Sequence, residues 1–199
     1  MEGQHHEEND QLEAVQTEPT PLETAIPDNS PAAAFADNPQ YQENVARYME
    51  QLKTEENLPM GLLMGAAAAF VGALLWGVIT VATGYQIGYM AIGVGLLVGF
   101  SVRFGGKGLS PIFGISGAVF ALLGCVLGNL FSLIGFAANE AQVSITEILS
   151  ILNASLIVDV MVESAQPLDF LFYGIAIYEG YRFSFRNVTD EELAHAGNG

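Results

Sequence analysis

The sequence predicts an all-α membrane protein: a helix bundle of about four spans behind a disordered, acidic N-terminal tail. Three observations predict it. Gly61 to Phe100 runs for 40 residues without a charged side chain, about twice the roughly 20 residues a helix needs to cross a bilayer. The charge is partitioned: residues 1–60 hold 13 Asp and Glu against Arg47 and Lys53 (net −11), residues 61–199 hold nine acids against four bases (net −5), and together these give −16. The six basic residues form three pairs, Arg47 and Lys53, Arg103 and Lys107, Arg182 and Arg186. With four spans and the N-terminus inside, all six fall on the cytoplasmic side, where Lys and Arg are enriched, so the chain is expected to be multi-pass, N-in and C-in.

A content of 51% hydrophobic and 14% charged residues would also suit one apolar soluble domain, and it is the distribution that decides. Residues 1–37 are rich in Glu, Pro, Gln and Thr and cannot bury enough surface to offset chain entropy, which predicts disorder. No N-terminal secretory signal is expected, because the first apolar run begins near residue 60 and the start is acidic where a signal would be basic. Asn38-Pro39 reads as an N-cap with Pro at the first helical position. Tyr41, Val45, Tyr48, Met49 and Leu52 then recur at helical spacing, predicting an amphipathic cytoplasmic helix within 38–57.

The membrane domain is expected over 58–186. Its first span is placed at about 61–82, closed by Thr83-Gly84-Tyr85-Gln86, with Tyr85 and Tyr89 at interface depth. A second span at about 87–103 ends at Arg103, and Pro111 opens a third at about 111–137. Residues 138–167 mix Glu140, Glu147, Asp159 and Glu163 with a helical stripe of Ile, Leu and Val, which predicts an amphipathic segment on the external surface or dipping into the membrane. The fourth span, about 168–185, must tolerate Asp169 and Glu179. Residues 187–199 are expected to form a loose polar tail.

Small residues recur every four positions: Gly61, Gly65 and Ala69; Ala73 and Gly77; Ala91, Gly95 and Gly99; Gly124, Gly128 and Ser132. Such stripes let backbones approach closely in lipid, where there is no hydrophobic force between helices. They are read first as packing within one chain and second as a homo-oligomer interface. A 52-residue shift aligns Gly65-Ala66 with Gly117-Ala118, and Ala91-Ile92 with Gly95 echoes Ala176-Ile177 with Gly180. In so Gly- and Ala-rich a chain, coincidence explains both agreements.

Chemistry-bearing residues are few. Glu179 is a carboxylate inside a span, costly enough to require a reason; Arg103 and Arg182 are its candidate partners. A proton- or cation-handling role is one reading, a local ion pair near the interface the other. Asn129 lies deep in the third span, where its amide can bond across helices. Gly105-Gly106-Lys107-Gly108 fails the phosphate-loop pattern, having Ser101 and Gly108 where Gly and Ser or Thr are needed. His5, His6 and His195 lie in the terminal segments and Cys125 in an apolar run, so no metal site, cofactor or disulfide is expected. No nucleophile, base and oxyanion-donor set is evident, and the chain is not expected to be an enzyme. Its acidity also argues against nucleic-acid binding.

Trp76, Thr80, Thr83-Gly84-Tyr85, Gly88, Ala91 to Gly95, Gly99 and Arg103 to Gly106, with Leu168 to Ala176 and Tyr181-Arg182 downstream, resemble a pattern in small multi-pass membrane proteins of unassigned function in bacteria. The resemblance covers most of the membrane part and none of the tail. It implies a bacterial cytoplasmic membrane and carries no activity. The expected role is association with the bilayer, with another membrane protein or a second copy, and with a cytoplasmic partner of the tail. The alternative is a small transporter or channel subunit using Glu179, Asn129 and Arg103 as a polar path.

Overall fold

A computed structural model describes residues 38–85 and 88–198; the tail expected over 1–37 lies outside the described residues. Among them the chain is all-helical, with eight helices and no strand. The first is α1 (Pro39–Thr54), where the Asn38 side chain accepts from the Gln40 amide and Pro39 takes the first position. Asn57 and Pro59 repeat this signature at the start of α2 (Leu58–Thr83), which ends on Gly84 at φ +71°. α3 (Met90–Gly106) and α4 (Pro111–Ala141) follow.

α2 and α4, with 26 and 31 residues, are long and apolar enough to cross a membrane. α3 is a shorter apolar helix of 17 residues. α7 (Pro167–Arg182) has 16 residues.

The stretch after α4 differs from the single amphipathic segment expected over 138–167. α4 runs on to Ala141, and two short helices follow, α5 (Ile145–Ile151) and α6 (Ala154–Ser164). They meet at 109° and count as a third span only if taken as one bent element. The cause of the break is local. Leu152 is extended, and the Asn153 side chain accepts from the Leu156 amide, starting a new helix. Beyond α7, the C-terminal stretch expected to be loose forms α8 (Asp190–Gly197), begun by a reciprocal capping box between Thr189 and Glu192.

α3 and α4 touch each other and both α2 and α7, so they form the centre of a four-helix arrangement flanked by the other two. The buried face of α2 consists of Gly61, Gly65, Ala68, Ala69, Gly72, Ala73, Trp76, Gly77 and Thr80. Its exposed face carries Leu63, Phe70, Val71, Leu75 and Val78. Small residues inside and large aliphatics outside invert the pattern of a water-soluble bundle and suit helices that pack in lipid. Trp76 and Phe113, each 1% exposed, are the largest buried side chains, set among Val94, Val98 and Val102. At one end of the bundle α1 packs on α8; at the other, α5 and α6 rest on α4.

Candidate functional site

Two features stand out: a polar clamp at the α1–α8 end, and the sparse polar groups inside the bundle. The clamp begins in the α1–α2 linker. One Glu56 oxygen accepts from the amides of Leu109 and Ser110 at 2.8 and 2.9 Å, and Ser110 Oγ lies 2.9 and 2.7 Å from the two carboxylate oxygens. Ser110 is the N-cap of α4 but makes no cap bond with its own side chain. Glu56 thus supplies the acceptor that the helix N-terminus needs, where the dipole also favours an anion. Partial burial pushes the Glu56 carboxyl up, yet the bonds from the Ser110 hydroxyl and the two amides, with Lys53 nearby, outweigh it and hold the group below the ordinary carboxylate value.

Neighbouring bonds extend the clamp to a third segment. The Asn57 amide donates to the Gly106 carbonyl at 2.9 Å, and the Arg186 amide donates to the Gly108 carbonyl at 2.8 Å. The Arg186 guanidinium donates to Glu55 at 3.0 Å. The linkers before α2, before α4 and after α7 are therefore tied together, and α1 and α8 sit on top of them. Gly197 presses on the Tyr41 ring, and Asn44 Nδ2 donates to the Gly197 carbonyl at 3.1 Å. Phe113 explains the glycine-rich loop below: a Cβ at Gly106 or Gly108 would strike its ring. Lys107, between them, takes the left-handed conformation at φ 49°.

Inside the bundle, the three residues singled out from sequence do not come together. Asn129, 4% exposed, hydrogen-bonds to Tyr173 across α4 and α7. Glu179 buries one carboxylate oxygen that has no hydrogen-bond partner. Arg182 turns instead to Tyr178, donating to its hydroxyl at 3.0 Å and lying over its ring. Among the described residues the ion pairs are Arg47 with Glu43 and Arg186 with Glu55, so neither Arg103 nor Arg182 pairs with Glu179. Gly117 lies against Gly180, and Asn129 is twelve residues further along α4, about 18 Å at 1.5 Å per residue. Ala121 and Cys125, both fully buried, lie between them on α4.

The glycines singled out from sequence are all occupied by packing within the chain. A Cβ at Gly95 would lie 2.6 Å from the Ala176 carbonyl oxygen, and one at Gly99 would lie 2.9 Å from Phe183 Cβ. At Gly61 it would lie 3.0 Å from Gly106 Cα, and at Gly65 2.6 Å from Val102. Gly124 faces Val94 and the backbone of Ala69, and Gly128 faces the Trp76 ring. These contacts join α3 to α7 and to α4, and α2 to both α3 and α4.

An apolar groove of about 860 Å³ lies between α2, α4 and α5, lined by residues that include Leu74, Val78, Phe131, Ile134 and Leu149. Among the described residues no group of three or more His, Cys, Asp or Glu is placed to hold a metal ion. The clamp residues Glu56, Ser110 and Arg186, and Tyr173 as the partner of Asn129, escape sequence reasoning. Their partners lie on distant segments, and no local pattern marks them. The chain matches no protein-family model, no curated protein and no solved structure.

Proposed function

We propose that this is a four-span membrane protein without enzymatic activity that acts by associating with other proteins. Its N- and C-termini lie in the cytoplasm, where α1 and α8 form a platform and the acidic tail offers charge to a partner. The clamp of Glu56 on Ser110 carries this reading. Membrane-proximal helices that were merely solvated would need no carboxylate fixed to the next helix N-terminus, nor an Arg186 link to the third linker. The clamp gives the membrane-proximal helices a defined surface that a partner can recognise.

Charge supports the orientation. Arg47, Lys53, Arg103, Lys107, Arg182 and Arg186 all belong to the α1–α8 end, and the opposite end has no Lys or Arg. The helices α3 and α7 count as spans on this reading although each covers only about 25 Å, against a hydrocarbon core of roughly 30 Å. Local thinning and flanking residues accommodate such a mismatch. The separation of Glu179 from Asn129, and the apolar side chains between them, weigh against a polar transport path. The partners expected are another membrane protein, a second copy and a cytoplasmic protein with a basic surface, in a bacterial cytoplasmic membrane.

The test is crosslinking and capture from native membrane with the full chain, a chain lacking residues 1–37, and Glu56→Ala. A specific protein lost in either variant supports the platform. An unchanged or empty set of captured proteins in all three contradicts it.

A further inference from the structure

We propose that the groove between α2, α4 and α5 is a binding site for one acyl chain of a membrane lipid with an amine-bearing zwitterionic headgroup. This rests on the membrane reading and orientation given above, which place the groove in the outer leaflet.

The groove holds about 860 Å³, within the roughly 300–1,000 Å³ of small-molecule sites. It follows α4 from Phe131 to Gln142, about 16 Å at 1.5 Å per residue and close to half of a roughly 30 Å hydrocarbon core. One leaflet's acyl chain spans that depth.

The groove opens onto an exposed apolar face. Val78 is 65% exposed and Leu74 43%, and they continue the exposed apolar surface of Phe70, Val71 and Leu75 on α2. α2 is one of the two helices long and apolar enough to cross a membrane, so the neighbouring medium is hydrocarbon. Water has too few polar partners along these walls to fill the space. Behind it a Cβ at Gly135 would strike Val81, so α2 and α4 touch there, while Leu149 of α5 lines the opposite side. A lipid held under α5 differs from one passing along an open helix face.

Asn139 and Gln142 line the end of the groove nearest α5, where the Gln142 side-chain amide donates to the Asn139 backbone carbonyl at 2.6 Å. Neither Glu140 nor Glu147 lines the groove, and Glu147 accepts from Ser144 at the start of α5, but both are acids close in sequence to its lining residues, and no Lys or Arg occurs from Gly108 to Tyr181 to offset them. An anionic headgroup is repelled there, and an ammonium is attracted.

The test uses the full chain in vesicles of equal parts phosphatidylethanolamine and phosphatidylglycerol, with a photoactivatable acyl tracer of one headgroup or the other. The expected result is labelling at Val78 and Leu149 that favours the ethanolamine tracer about fivefold, the size of preference that one nearby charge gives. Val78→Trp, and separately Leu149→Trp, remove that labelling and leave labelling at Phe70 unchanged. Equal labelling by both tracers, spread evenly over the exposed apolar faces, overturns the site and leaves only passing lipid contact. Crosslinking of Leu149 to a second copy or another protein, with no lipid adduct, overturns it in favour of a protein occupant. Alkaline extraction of the chain from the same vesicles would instead show that the membrane reading itself fails.

Discussion

Glu56 and Ser110, 54 positions apart, are joined by three contacts: the Ser110 hydroxyl on both carboxylate oxygens and the Ser110 amide on one. Through this pair the segment that leaves α1 is fixed to the start of α4. The bundle and its α1–α8 layer are thereby one unit. Losing the carboxylate leaves two amides at a helix start without their acceptor.

Glu56→Ala is expected to lower stability by about 1 kcal/mol, as for loss of a helix cap, and to speed amide exchange in α1 and α8 before the rest of the bundle. The sign of the pH dependence follows from the depressed carboxyl. Its contribution is complete above the ordinary value of 4.5 and is lost as pH falls through the lower folded value. Thermal unfolding of the wild type and Glu56→Gln, followed in detergent from neutral pH down to about pH 3, should show the gap between them closing in acid. A gap that widens in acid contradicts the clamp.

Gly95→Val is expected to separate α3 from α7, because the new side chain meets the Ala176 backbone, which cannot yield as a flexible side chain would. The cost should be about 1–3 kcal/mol, typical of overpacking. Gly93→Val is the control, since nothing lies within 4 Å of a Cβ there. Proteolysis near Arg182 and Arg186 should accelerate in the first variant and not in the second.

Glu179→Gln should leave assembly intact and should not lower thermal stability, because the carboxylate forms no ion pair that the change would break and its buried oxygen has no hydrogen-bond partner to lose. Proteoliposomes should show no proton or cation flux that depends on this residue. A flux present in the wild type and abolished in Glu179→Gln would favour a transporter.

Lys107→Gly should stabilise the chain by about 1 kcal/mol, since Lys107 holds a left-handed conformation that costs an L-residue about that much. Gln142→Gly tests the same argument at the far end of α4, where φ is 54°. Denaturation midpoints that fall in both variants would show that these side chains contribute more than the strain costs.

The sequence makes the apolar runs, their polarity and the small-residue faces legible, because these depend on local composition and a period of 3.6 residues. The Asn38-Pro39 start of α1 is equally plain. The same signature at Asn57 and Pro59 starts α2 three residues before the expected boundary at 61. Local capping signals also lie in the stretches expected to be simpler. Ser144 with Glu147, and Thr189 with Glu192, are capping boxes that begin α5 and α8. The pairing of Asn129 with Tyr173, and of Glu56 with Ser110, is of another kind. It depends on which helices lie side by side, and neither spacing nor composition encodes that for one chain. The charge partner expected for Glu179 within one turn fails locally instead: Arg182 donates to Tyr178, four residues back on the same helix.

The most direct test of the four-span arrangement is a cysteine-accessibility map in intact cells, in a Cys125→Ala background. Single cysteines replace Lys107, Ser150 and Asp190. The account predicts that position 150 reacts with a membrane-impermeant thiol reagent from outside, while 107 and 190 react only after permeabilisation. Labelling of 150 and 107 from the same side, or of 107 and 190 from opposite sides, would contradict it.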